Sequence, residues 1–314
     1  MVTMRDIARE SGYSLSTVSR VVNQEKYVSD EVRAKVQAVI DAHDYATNRI
    51  AQDLSHGENR VVGVVLPDNR HPYFEEILRG ITDRAFESDH RIVLLPSRYD
   101  KDKEAEFLEG LRHKEYSSLI FTSHRLPLTD FLKYQKYGPI VCLEHTNLPI
   151  SSVYSERIAA AKDAFRWLKA QGPTSIALLF SRAASVSATN RQTQLAFEKV
   201  FGYSLPDQDI YTGMYTFDDG YHIAPQLVKR QYQAVFANSD DIASGIYQYY
   251  RVHQLTQPIM IGQEQQTSGQ LLSLSTINHN LFEIGQRAFE LAESTEVRQV
   301  PVPAAFVLRN SSEM

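Results

Sequence analysis

Leu15, Ser16 and Arg20 are the side chains of this chain with the most specific chemistry to offer. Together with Ser19 they share the exposed face of a short helix expected over Leu15–Val22. A guanidinium forks onto guanine O6 and N7, the commonest specific contact in the DNA major groove, and a leucine can pack on a thymine methyl. Around them Thr3, Ser14, Thr17, Ser19 and Asn23 are short polar groups suited to phosphate oxygens, which position a protein without reading sequence. The plainer role for the serines and threonines is helix capping, and Thr3 and Ser14 can do both.

The elements that must hold these residues follow from caps and spacing. Thr3 is an N-cap, and Asp6 three residues on makes an acidic variant of the capping box. Ile7 and Ala8 lie on one face of the helix that follows, and Gly12 ends it, because glycine accepts positive φ without a Cβ clash. Ser14 caps the second helix, whose Val18, Val21 and Val22 fall at i, i+3 and i+4 on the buried face. Ser29 caps a third helix, with Asp30 and Glu31 in its positive first turn and Val32, Val36, Val39 and Ile40 as its apolar stripe. Two short helices around a tight turn, braced by a third, form a helix-turn-helix headpiece.

Bulk charge does not drive this module to DNA. Up to residue 60 there are eight basic residues (Arg5, Arg9, Arg20, Lys26, Arg33, Lys35, Arg49, Arg60). Nine acidic ones oppose them (Asp6, Glu10, Glu25, Asp30, Glu31, Asp41, Asp44, Asp53, Glu58), so the usual basic footprint is missing. Affinity must come from charge placement, helix N-termini and dimerisation, and a monomer is expected to bind weakly.

From Arg60 the pattern changes. Apolar β-rich runs (Val61-Val62-Gly63-Val64-Val65-Leu66, Ile92-Val93-Leu94-Leu95, Leu119-Ile120-Phe121, Ile140-Val141-Cys142-Leu143) alternate with helical stretches. Phe74, Ile77, Leu78, Ile81 and Ala85 mark one helix face, and Phe107, Leu108 and Leu111 mark the next. The series restarts after Ser155 with a helix over 158–169, then Ile176-Ala177-Leu178-Leu179-Phe180, Ala234-Val235-Phe236-Ala237 and Ile259-Met260-Ile261. Such βαβ repetition predicts parallel sheets covered on both faces, here two doubly wound lobes with a cleft between them. The fold class is therefore α/β, a three-helix headpiece plus two doubly wound lobes.

Ligands of such sheets sit beyond the carboxyl ends of the strands. Strand exits nominate Asp68, Asn69, Phe74, Tyr99, Thr122 and Glu144 in the first lobe, and Ser187, Arg191, Tyr215, Asp240 and Glu264 in the second. His279 is expected to face the cleft from a lobe crossing, and His71 from the exit of the first strand, each with an exposed loop histidine as the plainer reading. Planar charged groups that bond hydroxyls, with aromatic faces such as Phe74 and Tyr215, suit a sugar.

Catalysis has no comparable signature. No P-loop, nucleophile elbow or His-rich metal spacing occurs, so no catalytic residue, metal or cofactor is expected. The lone Cys142 excludes a disulfide framework and reads as core, and Trp167 beside Leu168 on an amphipathic helix reads as core or interface. No run approaches 18 apolar residues and no charged-plus-apolar leader precedes the first helix, so a cytoplasmic protein with no membrane role is expected. The net charge of -5 points only to a soluble core.

The run Val18-Ser19-Arg20-Val21-Val22-Asn23, then Val28-Ser29, Arg33-Ala34-Lys35-Val36, Tyr45, Asn48-Arg49-Ile50-Ala51 and Leu54 resembles the headpiece and hinge of the LacI–GalR family of bacterial repressors. The resemblance implies that Leu15, Ser16 and Arg20 read bases, and it adds Ser29, Tyr45, Asn48, Ala51 and Leu54 to the DNA-binding set. It implies a hinge helix over 46–58 that folds on DNA, with Leu54 wedged between base steps in the minor groove. Two features depart from the pattern: Ala46-Thr47 stands where the family carries Pro, and Asp53 places a negative charge beside the minor-groove face.

The rest of the chain resembles the family's core, a pair of lobes like a periplasmic binding protein, through His71-Pro72-Tyr73-Phe74, Asp219-Gly220-Tyr221, Phe236-Ala237 with Asp240 and Ala243, Leu274-Ser275-Thr276-Ile277 and Val307-Leu308-Arg309-Asn310-Ser311. It implies effector contacts at Arg191 and Asp240. Gly262-Gln263-Glu264 replaces the family's Gly-aromatic-Asp, and Ser155-Glu156-Arg157 replaces its Val-Asp-Asn. The expected organisation is a headpiece at 1–45, a hinge at 46–58 and a core at 59–314, with lobes at about 59–154 with 280–298 and about 155–278 with 299–314. The resulting reading is a homodimeric repressor of a carbohydrate-utilisation operon. It binds double-stranded operator DNA, associates with the nucleoid when bound, and is switched by a sugar or sugar phosphate. The chain stops soon after its last strand with no heptad tail, which argues against a tetramer. The rival readings are a regulator controlled by a partner protein, a sugar-binding protein, and an α/β enzyme that uses the cleft.

Overall fold

The computed structural model describes residues 2–45, 59–67 and 72–309, and the chain divides into two compact units, Met1–Asn59 and Arg60–Met314. The first holds α1 (Met4–Ser11), α2 (Leu15–Val22) and α3 (Asp30–Ala42). Thr3 and Asp6 close the capping box reciprocally, at 3.3 Å from the Asp6 N–H to Thr3 Oγ1 and 3.0 Å from the Thr3 N–H to Asp6 Oδ2. Gly12 stops α1 at φ 77°, and Ser14 caps α2 by accepting the Thr17 N–H at 3.2 Å. Ser29 occupies the cap position of α3 with extended backbone, but its hydroxyl makes no capping bond, contrary to the sequence reading. Ile7, Val18, Val21 and Val36 form the fully buried centre.

The second unit contains two six-stranded sheets. One is built from β1 (Val61–Leu66), β2 (Arg91–Pro96), β3 (Ser118–Phe121), β4 (Ile140–Cys142), β5 (Ser151–Ser155) and β11 (Gln299–Val302), in the order β11-β5-β4-β3-β1-β2, all parallel. It is flanked by α4 (Pro72–Glu87), α5 (Lys101–Arg112), the short α6 (Leu128–Phe131) and α12 (Leu281–Ala292). The other is built from β6 (Ile176–Leu179), β7 (Ile210–Tyr211), β8 (Ala234–Ala237), β9 (Ile259–Gln263), β10 (Ser275–Asn278) and β12 (Ala305–Val307), in the order β12-β10-β9-β8-β6-β7, with only β12 antiparallel. Its helices are α7 (Arg157–Ala170), α8 (Ala188–Phe201), α9 (Phe217–Lys229), α10 (Asp240–Val252) and α11 (Thr267–Leu271).

The central strand runs β1, β3, β4, β6, β8 and β9 are apolar on both sides because each sheet is covered on both faces. Val62 and Val64 of β1 pack with Ile77, Ile81, Ile284 and Phe289, while Val65 packs on the other face with Leu95, Leu108, Leu111 and Phe131. Ile176 and Leu178 of β6 likewise meet Phe165 and Phe197, while Ala177 and Leu179 meet Ala224, Leu227 and Ile246. The run around Val93 departs from that rule. β2 is an edge strand, and Val93 and Leu94 stay 39% and 48% exposed.

The two crossing helices of each lobe touch backbone to backbone. A Cβ at Gly285 of α12 would lie 2.1 Å from the Ile77 carbonyl of α4, and one at Gly245 of α10 would lie 2.0 Å from the Phe217 carbonyl of α9. Only glycine permits that approach.

The chain passes between the lobes after β5, after β10 and after β11. The last passage corrects the sequence reading, which moved to the second lobe at 299. Gln299–Val302 pairs with β5 in the first sheet, and Pro301 is tolerated there because β11 is an edge. The crossings are bonded to one another. Ser155 and His279 Nδ1 lie 2.8 Å apart, and Asn280 Nδ2 donates to the Pro303 carbonyl at 2.8 Å.

Candidate DNA-reading helix and ligand cavity

α2 carries its apolar face inward through Val18 and Val21, which turns Leu15, Ser16 and Arg20 outward. Leu15 is 44% exposed, a large apolar side chain left in solvent on a short helix. Arg20 extends into solvent with Glu25 3.8 Å from its Nε, a pair too exposed to hold it in place. Ser14 bonds both Ser16 Oγ at 2.8 Å and Thr17 Oγ1 at 2.9 Å, so these hydroxyls are pre-arranged at the start of α2, the positive end of its dipole. Thr3 is exposed, while Thr17, Ser19 and Asn23 are half-buried. Tyr45 packs against the headpiece core. Asn48, Ala51 and Leu54 lie outside the described residues, as does the whole hinge segment 46–58.

In the second unit a cavity of about 1440 Å³ opens between the two lobes at the carboxyl ends of the strands. Of the residues nominated from strand exits and the crossing, Phe74, Tyr99, Thr122, Glu144, Ser187, Tyr215, Glu264 and His279 line it. Asp68 and Asn69 lie outside the described residues, and so does His71.

Two nominations are corrected. Asp240 is fully buried and does not line the cavity. Its Oδ1 accepts from Thr276 Oγ1 at 2.7 Å and its Oδ2 from the Gln266 N–H at 2.8 Å, so it ties α10 to β10 and to the loop before α11. Burial pushes its carboxyl up to about 7, against the lowering effect of those two bonds. Arg191 is exposed and turns back to donate to the Ala184 carbonyl at 2.6 Å, reaching the wall only through its field on Glu144.

The wall also contains side chains the sequence reading passed over, among them Arg98, His124, His145, Arg157, Arg182 and Asn238. His124 and His145 stand one or two residues past a nominated residue, Arg98 and Asn238 one or two before one, and Arg182 just past the end of β6, so the same rule extended slightly reaches them. Arg157 opens α7 at a lobe crossing and was visible only as a departure from the family motif.

Several of these groups neutralise one another. His124 Nε2 donates to Glu144 Oε1 at 3.0 Å while its Nδ1 donates to the Leu126 carbonyl at 2.6 Å. Burial disfavours both charges, but their mutual bond outweighs it, leaving His124 above and Glu144 below their ordinary values. His279 is buried and held well below its ordinary value, chiefly by burial. With Gln263 Oε1 3.0 Å from Nε2, the neutral ring donates there and accepts the Ser155 hydroxyl at Nδ1. Tyr73, next to Phe74, is pushed up to about 12 by burial. Glu264 sits at φ 83°, an unusual backbone for a non-glycine residue, and burial pushes its carboxyl well up. Among the described residues no group of His, Cys, Asp and Glu is placed to hold a metal ion, and no helix is long and apolar enough to cross a membrane.

A helix-turn-helix module joined to a two-lobed binding core defines a DNA-binding regulator rather than an enzyme. A family model described as bacterial regulatory proteins of the lacI family matches residues 3–48, and one described as periplasmic binding proteins and sugar binding domain of LacI family matches residues 59–291. Catabolite control protein B of Bacillus subtilis is 34% identical over 309 residues, covering 98% of this chain and 99% of that protein. The ribose operon repressor of Escherichia coli is 28% identical over 303 residues, covering 93% and 92%. The crystal structure of the lac repressor dimer bound to operator and an anti-inducer shares the fold at a TM-score of 0.80, with 23% identity and 99% of both chains covered. The chain belongs to the LacI family of bacterial transcriptional regulators.

Proposed function

We propose that this regulator is a homodimeric repressor of a carbohydrate-utilisation operon, switched by a sugar or sugar phosphate held between its two lobes. The observation that carries the reading is the cavity at the strand exits, where Phe74, Tyr99 and Tyr215 offer aromatic faces beside guanidinium, imidazole and carboxylate groups from both lobes. A polyol needs that combination of flat apolar surface and fixed donors and acceptors. The family model for this segment and the ribose repressor relative both support a carbohydrate.

The parts divide the work. The headpiece at 1–45 reads the operator through Leu15, Ser16 and Arg20, with Thr3, Ser14, Thr17, Ser19, Asn23 and Ser29 on phosphates and Tyr45 bracing the module. The hinge at 46–58 presents Asn48, Ala51 and Leu54 to the minor groove. The core at 59–314 senses the ligand and dimerises, and the first lobe offers apolar side chains for that face in Phe86, 89% exposed, and in Val93 and Leu94 of its edge strand. The protein works in the cytoplasm, on the nucleoid when bound.

The test is a thermal-shift screen of sugars and sugar phosphates on the purified chain, followed by operator binding with and without each compound that stabilises it. A stabilising sugar that also changes operator affinity is the expected result. If no carbohydrate does either, control by a partner protein becomes the better reading.

A further inference from the structure

The cavity contains a charge that no described residue answers. Its carboxylates are largely engaged: Glu144 accepts from His124, and Asp219 accepts the Tyr215 and Thr216 N–H groups and the Thr216 hydroxyl as the cap of α9. Glu264 accepts from Gln266 Nε2 at 2.6 Å. Of the guanidiniums, Arg182 is engaged with Tyr99 and Ser123. Arg157 is not. It lines the cavity half-buried, and among the described residues no acceptor lies within hydrogen-bond or ion-pair distance of it. Burial holds it below the ordinary guanidinium value, with Tyr73 and Glu264 acting the other way. A half-buried guanidinium that faces a cavity without a protein acceptor is free to take an oxyanion, which forks onto it in a strong bidentate contact. Arg98, also on the wall and without an ion-pair partner among the described residues, adds to the same sign.

We propose that the effector is an anionic polyol, a sugar phosphate or a sugar acid, whose oxyanion is bound by Arg157. The inference rests on the reading of the cavity as the effector site. It gives a role to the cation at Arg157, where the Val-Asp-Asn pattern of the family has Asn.

The test is calorimetric titration of the full chain with glucose, gluconate, glucose 6-phosphate, ribose, ribose 5-phosphate and inorganic phosphate, for wild type, Arg157→Met and Arg157→Lys. The expected result is that at least one charged sugar binds ten times or more tighter than its neutral parent. Arg157→Met abolishes that preference while neutral-sugar binding persists, and Arg157→Lys restores part of it. A phosphate-only preference identifies a sugar phosphate, and a preference for gluconate a sugar acid. Equal binding of charged and neutral members, or a preference unchanged in Arg157→Met, overturns the assignment and leaves the cavity reading standing. Inorganic phosphate binding as tightly as the sugar phosphates overturns the polyol. If nothing in the panel binds, the effector-cavity reading fails and this inference with it.

Discussion

The guanidinium of Arg182, from the second lobe, lies 4.5 Å from the centre of the Tyr99 ring, from the first. Arg182 Nη2 also donates to Ser123 Oγ at 3.3 Å, and Ser123 donates to the Tyr99 hydroxyl at 3.2 Å. The chain thus supplies its own clasp between the two lobes within the cavity wall. A cation over an aromatic ring contributes about 0.5–2 kcal/mol, depending on how dry it is.

Arg182→Ala and Tyr99→Leu should therefore each favour the open lobe arrangement, by about 1 kcal/mol, and the double variant should do no more than either alone. Energy transfer between dyes on the two lobes reads the shift. Additive single effects would mean that the two side chains do not act on each other.

For the headpiece, Arg20→Ala should weaken operator binding by about 1–3 kcal/mol and relax sequence preference at one base pair. Footprinting on a set of operator variants measures both. Full retention of sequence preference would remove Arg20 from the groove, whatever happened to affinity.

Asp240 gives a pH signature. Its folded carboxyl is pushed up to about 7 from an ordinary 3.8, so the folded chain holds a proton that the unfolded chain has released. Stability from this group is greatest below the ordinary value and declines as pH rises through about 7. Asp240→Asn removes the titration and should flatten the dependence of unfolding free energy on pH across that interval. A denaturant series at several pH values would expose an unchanged slope, which the burial argument does not allow.

His124 and Glu144 titrate in senses opposite to each other, with His124 following the sign of Asp240. Glu144, lowered by its partner against burial, contributes above its ordinary 4.5 and loses that contribution as acid protonates it. His124, raised by the same bond against burial, contributes below its ordinary 6.5 and loses it as pH climbs past its folded value. The pair is worth most between those two values. Glu144→Gln should drop the His124 titration midpoint seen by proton NMR, since burial is then opposed only by the Leu126 carbonyl and the Glu104 charge. A midpoint that stays high would show that some other group holds the proton.

The headpiece was legible in the sequence because its signals are local. The Thr3–Asp6 box, Gly12 and the valine spacing each act within one helical turn. Ser29 is the exception, since cap position is written in sequence but the rotamer that makes the bond is not. In the core most of the residues nominated from strand exits do reach the cavity wall, because the topology of a parallel sheet sends those residues to one end. Asp240 stands at such an exit and still faces away. Its neighbours Thr276 and Gln266 come from distant elements, and nothing near it in sequence announces them. β5 and β7 escaped notice because Ser151-Ser152-Val153-Tyr154-Ser155 is polar and Ile210–Tyr211 is two residues long.

The bonds among the lobe crossings have a mechanical consequence. Ser155 is tied to His279, and Asn280 to Pro303, so the connections are laced side by side. Linkers that swing separately would let the lobes slide, tilt and twist. Laced together they turn as one ribbon, and the glycine contacts of α4 with α12 and α9 with α10 keep each lobe from absorbing the strain. If the proposed effector fills the space between the lobes, those ties would have it reported as a single angle, a signal with little room for error in transmission.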